Sequence, residues 1–130
     1  MTTMSGELVL IVDDNEKNAK LARDVLRFAG FRTIEAGTGG AGFSLAVEHL
    51  PDVILMDIRL PDMEGTVVLR NLKEEQRTAQ IPIVALTSFA MKGDRESFLE
   101  AGFDGYLEKP ISVKAFPDQV RSYLEGRVDQ

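Results

Sequence analysis

The chain contains no cysteine. Disulfide frameworks and thiol chemistry are thereby excluded, and the absence fits a reducing compartment. With one histidine, His49, it also lacks a zinc-type His/Cys cluster. Long apolar runs are missing as well. Met1 to Glu7 is polar, with no basic stretch leading into an apolar one, and Leu8 to Val12 is too short for a signal peptide or a membrane span. A cytoplasmic protein without a membrane partner is expected. The net charge of −6 leaves few cations to spare for phosphate, so no nucleic-acid partner is expected either. No glycine-rich phosphate loop, linker-like stretch, low-complexity segment or internal repeat interrupts the chain. A single domain over residues 1–130 follows. It is large enough to bury about two-thirds of the unfolded chain's surface without a disulfide or structural metal.

What is present is a regular alternation. Val53-Ile54-Leu55-Met56 is a run of four apolar residues that leads straight into Asp57. It reads as a strand buried on both faces at the centre of a parallel sheet, starting at Asp52. Glu7 to Val12 reads as a first strand of the same kind, and Arg32 to Ala36 as a shorter second one. Pro82 to Leu86 is a fourth, ending at Thr87, and Asp104 to Leu107 a fifth. Between them lie helical patterns. Asn15 caps one with Ala22, Val25, Leu26 and Ala29 on its inner face and Gly30 as its stop. Thr38 caps the next, with Phe43, Ala46, Val47 and Leu50 inward; Gly39, Gly40 and Gly42 weaken its first turn, and Pro51 ends it. Pro61, Asp62 and Gly65 form a loop before a third helix with Val68, Leu69 and Leu72 inward, followed by a polar loop from Glu74 to Gln80. Ala90 to Ala101 is a fourth helix of thin amphipathy, closed by Gly102. A turn over 112–116 precedes a last helix with Pro117 at its first position and Val120, Tyr123 and Leu124 on one face. Five such alternations predict an α/β, doubly wound (βα)5 sandwich: a parallel sheet with helices on both faces.

In a parallel sheet the strand carboxyl ends share one edge, where ligands bind in open α/β folds. Asp13 and Asp14, Asp57, Thr87 and Lys109 therefore converge. Carboxylates so close repel each other unless neutralised, and a hard divalent cation such as Mg²⁺ does this with oxygen ligands. Lys109 adds a mobile point charge that suits phosphate, and Thr87 a hydroxyl donor. The set suits phosphoryl transfer, with Asp57 as the nucleophile that forms an acyl phosphate. A glycosidase-type carboxylate pair needs neither the Lys nor the Thr.

Asp13-Asp14, Asp57, Thr87 and Lys109-Pro110 at these spacings resemble the receiver domain of two-component response regulators (CheY-like, flavodoxin-like fold) over roughly residues 6 to 126. Pro61-Asp62-Met63-Glu64-Gly65 resembles the family's Pro-x-Met-Asp-Gly loop, with Glu in place of the usual Asp. The run from Thr87 to Asp94 is most similar to small single-domain receivers of the DivK type. The resemblance implies strand order 2-1-3-4-5 and a cis Lys109-Pro110 bond. It implies Asp57 as phosphoacceptor, with Asp14, Asp57 and the backbone carbonyl of Arg59 as Mg²⁺ ligands and Asp13 reaching the metal through water. Thr87 becomes the switch hydroxyl and Tyr106 the switch aromatic. A histidine kinase or histidine phosphotransfer protein becomes the donor, and a downstream protein target is met through the face of helix four, strand five and helix five.

Plainer readings stand beside these. Tyr106 on a short strand also reads as half-buried packing. His49 reads as a solvated residue in a helix's last turn, and Lys73 to Arg77 as a solvated loop. Phe89 and Met91 read equally as core and as partner surface. Arg59 and Phe89, two residues after Asp57 and Thr87, are expected to shield a phosphoryl group from water. The function expected is a stand-alone response regulator and not a turnover enzyme. The alternatives are a Mg²⁺-dependent phosphatase acting through an aspartyl-phosphate, or a receiver excised from a hybrid histidine kinase. Such phosphatases often carry a second Asp two residues after the nucleophile, where this chain has Arg59.

Overall fold

The computed structural model describes residues 6–88 and 94–128. Five strands, β1 (Leu8–Val12), β2 (Arg32–Ala36), β3 (Val53–Asp57), β4 (Ile83–Thr87) and β5 (Gly105–Glu108), form one parallel sheet in the order β2-β1-β3-β4-β5. They alternate with α1 (Glu16–Phe28), α2 (Gly39–His49), α3 (Gly65–Glu74), α4 (Asp94–Ala101) and α5 (Phe116–Val128). The doubly wound architecture and the strand order are those expected.

Strand alternation divides the core into two layers. Val9, Ile11, Val53, Leu55, Val84, Leu86 and Leu107 pack against Ala19, Ala22 and Leu26 of α1 and Phe116, Val120 and Leu124 of α5. Leu10, Val12, Ile54, Met56, Ile83 and Ala85 pack against Ala46 of α2, Val68, Leu69 and Leu72 of α3, and Phe103. β1, β3 and β4 are buried along their whole length, which is why they read as unbroken apolar runs.

Helix ends follow their local chemistry. The Asn15 side chain accepts from the Asn18 amide at 3.0 Å. At the other end of α1, Gly30, with φ 103°, lets Phe31 N–H reach the Leu26 carbonyl and Gly30 N–H the Arg27 carbonyl. α4 closes in the same way, with Gly102 N–H on Leu99 and Phe103 N–H on Phe98. The expected fourth helix from Ala90 lies partly outside the described residues, as do Phe89 and Met91.

Leu50 departs from expectation. It is 49% exposed and is the left-handed C-cap of α2, with φ 48°. The Pro51 ring disfavours helical geometry at the residue before it, so the helix ends at His49, and Leu45 packs on the core instead. Gly65, expected in a loop, is the first residue of α3. Pro117 is the second residue of α5 and not the first. The turn before it is held by Ser112, whose Oγ accepts from the Ala115 amide at 3.2 Å and whose carbonyl accepts from Phe116 at 2.8 Å. Pro117 still lies in the first turn, where a missing N–H costs no intrahelical bond.

Candidate functional site

The chain reverses direction across the sheet between β1 and β3, so the crevice of this fold opens at their carboxyl ends. Asp57 ends β3, Asp13 and Asp14 follow β1, and Lys109 follows β5. The parity of Val9 and Ile11 continues to Asp13, that of Val53 and Leu55 to Asp57, and that of Leu107 to Lys109. All three thus belong to the α1/α5 layer. Thr87 and Tyr106 share the parity of the opposite layer.

Asp13, Asp57 and Thr87 are buried, while Asp14 is exposed. Carboxylate oxygens of Asp13, Asp14 and Asp57 lie within 4.8 Å of one another. Lys109 Nζ donates to Asp13 Oδ2 and to Asp57 Oδ2, each at 3.1 Å. The second oxygen of Asp57 accepts from the Arg59 amide at 3.2 Å, and that of Asp13 from the Asn15 amide at 2.9 Å. Lys109 itself is placed by the sheet: its amide donates to the Thr87 carbonyl at 2.8 Å, one step past β5, and the Lys109-Pro110 bond is cis.

Burial pushes the Asp57 carboxyl up, and the neighbouring Asp13 carboxylate adds to this; the hydrogen bond from Lys109 only partly offsets them. Lys109 meets a different balance. Burial pushes its ammonium down, but hydrogen bonds to Asp13 and Asp57 outweigh it and hold the group above its ordinary range. The pair is asymmetric because one ammonium serves two carboxylates. Three carboxylates share one ammonium in this cluster, so the cluster itself carries an excess of negative charge. The donors are all hard oxygens. A divalent cation of the Mg²⁺ kind fits both the charge and the chemistry.

The backbone around Asp57 depends on Gly65. A Cβ there would stand 2.4 Å from the Asp57 carbonyl oxygen and 3.0 Å from Ile58 Cα, so α3 starts in contact with the site strand only because residue 65 has no side chain. The Gly65 amide donates to the Ile58 carbonyl at 2.6 Å, and Arg59 forms a bridge with Glu64.

Residues 9–121 match the response regulator receiver domain family. The chain belongs to that family. This receiver is 47% identical over 116 residues to the polar-differentiation response regulator DivK of Brucella ovis, covering 89% of this chain and 94% of that one. Among solved structures, it superposes on a response regulator from Chloroflexus aurantiacus with a TM-score of 0.87 at 28% identity, covering 93% and 99% of the two chains. A receiver domain of a sensor histidine kinase from Pseudomonas aeruginosa, solved with magnesium in its active-site cleft, is 32% identical with a TM-score of 0.85 and coverage of 93% and 99%. The acidic cluster that receivers use for Mg²⁺ is present here as Asp13, Asp14 and Asp57.

The structure therefore brings together Asp13, Asp14, Asp57 and Lys109 of this receiver, and aims the Arg59 amide at Asp57. Tyr106 is half-buried and packs on Phe98, ring centroids 6.1 Å apart. His49 is exposed near Glu48, as expected. Grooves adjoin the sheet. One of about 450 Å³, lined by Asp13, Asp14, Glu16 and Gly37, opens at the acidic edge. A larger one of about 680 Å³ lies away from that edge, between Leu99, β5 and α5, lined by Tyr106, Gln119 and Tyr123. Among the described residues no helix is long and apolar enough to cross a membrane. Asp62 was missed as a contributor to this edge. Its partners lie 22 and 23 residues away in sequence, and nothing local marks them.

Proposed function

We propose that Asp57 accepts a phosphoryl group from the phosphohistidine of a histidine kinase or histidine phosphotransfer protein. The observation that carries this is the shared ion pair: Lys109 Nζ stands 3.1 Å from both Asp13 and Asp57 within a three-carboxylate cluster. Mg²⁺ would be held by Asp14, Asp57 and the Arg59 carbonyl, with Asp13 reaching it through water, and would supply charge neutralisation for the phosphoryl oxygens. An Asp57 carboxylate oxygen attacks phosphorus, the P–N bond to the imidazole breaks, and the imidazole leaves with the bonding pair. Lys109 can transfer its hydrogen bond from Asp57 Oδ2 to a phosphoryl oxygen, and the buried Thr87 hydroxyl can donate to another. Positioning supplies most of the rest, since the donor protein brings phosphorus in line with an oxygen already oriented by Lys109 and the Arg59 amide.

The readout is a protein partner in the cytoplasm, met at the face formed by α4, β5 and α5, where the larger groove lies. Thr87 acts as the switch hydroxyl and Tyr106 as the switch aromatic. Incubation with acetyl phosphate and Mg²⁺ should add one phosphoryl group by mass spectrometry, and Asp57→Asn should abolish it. Labelling that survives in Asp57→Asn would remove Asp57 from its role. Stoichiometric labelling without sustained hydrolysis of p-nitrophenyl phosphate is expected of a phosphoacceptor; continuous turnover would point to a phosphatase.

A further inference from the structure

The loop between β3 and α3 carries Arg59, whose carbonyl is the one proposed metal ligand that is not a side chain. At its ends the loop is held by Gly65 against Ile58 and by the bridge between Arg59 and Glu64. In its middle, Asp62 reaches across to α2. Its Oδ1 accepts from the Gly39 amide at 2.8 Å and its Oδ2 from the Gly40 amide at 2.9 Å. Those are the first two amides of α2; the third, of Ala41, donates to Thr38 Oγ1 at 3.0 Å. The hydrogen bonds from Gly40 and Gly39 hold the Asp62 carboxyl below its ordinary range. Loop and helix also touch directly. A Cβ at Gly39 would stand 2.7 Å from Met63 Cγ and from Val68 Cγ2. No step of the phosphoryl transfer proposed above uses Asp62.

We propose that Asp62 is a positioning residue for the metal site: it ties the β3–α3 loop to the first turn of α2 and so fixes the Arg59 carbonyl toward the acidic cluster. This rests on the reading of that carbonyl as a ligand. The physical reason is the kind of tie. A carboxylate bonded through both oxygens to amides at a helix's positive end forms two charge-assisted bonds, and these fix orientation as well as distance. Without them the middle of the loop keeps the apolar packing of Leu60 and Met63, which is not directional, and the carbonyl spreads over more directions. Loss of an orienting group behind a metal ligand costs roughly tenfold in affinity.

The test is Mg²⁺ binding to the unphosphorylated protein by titration calorimetry. Asp62→Ala should bind Mg²⁺ roughly tenfold more weakly, with an unchanged circular dichroism spectrum. It should need correspondingly more Mg²⁺ for labelling by acetyl phosphate, yet reach the native maximum at saturation. Asp62→Asn, which keeps an acceptor oxygen but not the charge, should fall between, and it carries the test if Asp62→Ala does not fold. Thr38→Ala removes a bond from the same helix end without touching the loop and should leave Mg²⁺ affinity unchanged. Native affinity in both Asp62 variants, or equal weakening in Thr38→Ala, would overturn the proposal. Asp14→Ala separates the two readings: if it binds Mg²⁺ as the native protein does, the metal assignment fails and the positioning role with it. If Asp14→Ala weakens binding and the Asp62 variants do not, only the positioning role fails.

Discussion

At Lys109 one ammonium, with its side chain 10% exposed, faces two buried carboxylates. Removing it would take away the ammonium that both acids share, in a site where burial already disfavours charge on Asp57. Gly65 shows a different dependence on one residue, since any side chain there would collide with the backbone of Asp57 itself. Arg59 is exposed, and its amide donates a hydrogen bond to Asp57. Its guanidinium is long enough to cover a phosphoryl group on Asp57 and to pair with its oxygens, which would keep water from an in-line approach. Slow loss of the phosphoryl group is therefore expected. Arg59→Asn should speed decay by roughly an order of magnitude, because the in-line approach of water is opened. The measurement is decay of phosphorylated protein after the donor is removed; an unchanged half-life would exclude shielding by Arg59.

At the scale of elements, the helix ends differ in how completely they are finished. α1 and α2 have side-chain N-caps from Asn15 and Thr38, and α1 and α4 end on glycines with the paired carbonyl bonds described above. α3 differs from α1 and α2. Its N-cap, Glu64, makes no side-chain cap hydrogen bond. The carboxylate of Glu is one methylene too far out to fold back on the amides of the first turn, whereas Asp is among the best N-caps. This is where the loop departs from the family's usual Pro-x-Met-Asp-Gly. Glu64→Asp should therefore stabilise the protein by about 1 kcal/mol. A rise in the urea midpoint with an unchanged slope would bear this out; no rise would mean that the first turn of α3 is already satisfied.

At the scale of the whole molecule, the sheet separates two kinds of residue at its carboxyl edge. Asp13, Asp57 and Lys109 continue the α1/α5 layer, while Thr87 and Tyr106 belong to the layer of Phe98 and Phe103. Strand β4 thus connects the acidic edge to the face of α4 and β5 through Thr87. In the switch proposed above, movement of that hydroxyl toward a phosphoryl oxygen would open room beside β4, and Tyr106, half-buried against Phe98, would turn into it. α4 is only eight residues long and weakly amphipathic, so a shift of this helix would cost little. Beryllofluoride with Mg²⁺ should accordingly move the amide resonances of residues 88–107 far more than those of β2 and the start of α5. Unmoved resonances in that stretch would mean that the site and this face are uncoupled.

Much of this was legible in the sequence because it depends on local chemistry or on strand parity. Apolar runs of four or five residues bounded by polar and turn residues read as strands buried on both faces, and in a parallel sheet their carboxyl ends must share an edge. That Asp13, Asp57 and Lys109 share one edge thus followed from Val9 to Val12, Val53 to Met56 and Leu107. Caps at Asn15 and Thr38 and the stop at Gly30 act within four residues and were equally readable. The strand order rested on the resemblance to receivers and not on the residues themselves. Three things were settled only by tertiary structure. Leu50 faces solvent because the chain must turn left-handed before Pro51 and start β3 in register with β1. Gly65 opens α3 because two backbones meet there. Asp62 joins α2 because folding carries it to Gly39 and Gly40. Each is a contact between segments distant in sequence, or a conflict between a local pattern and the path the next element must take, and no periodicity encodes either.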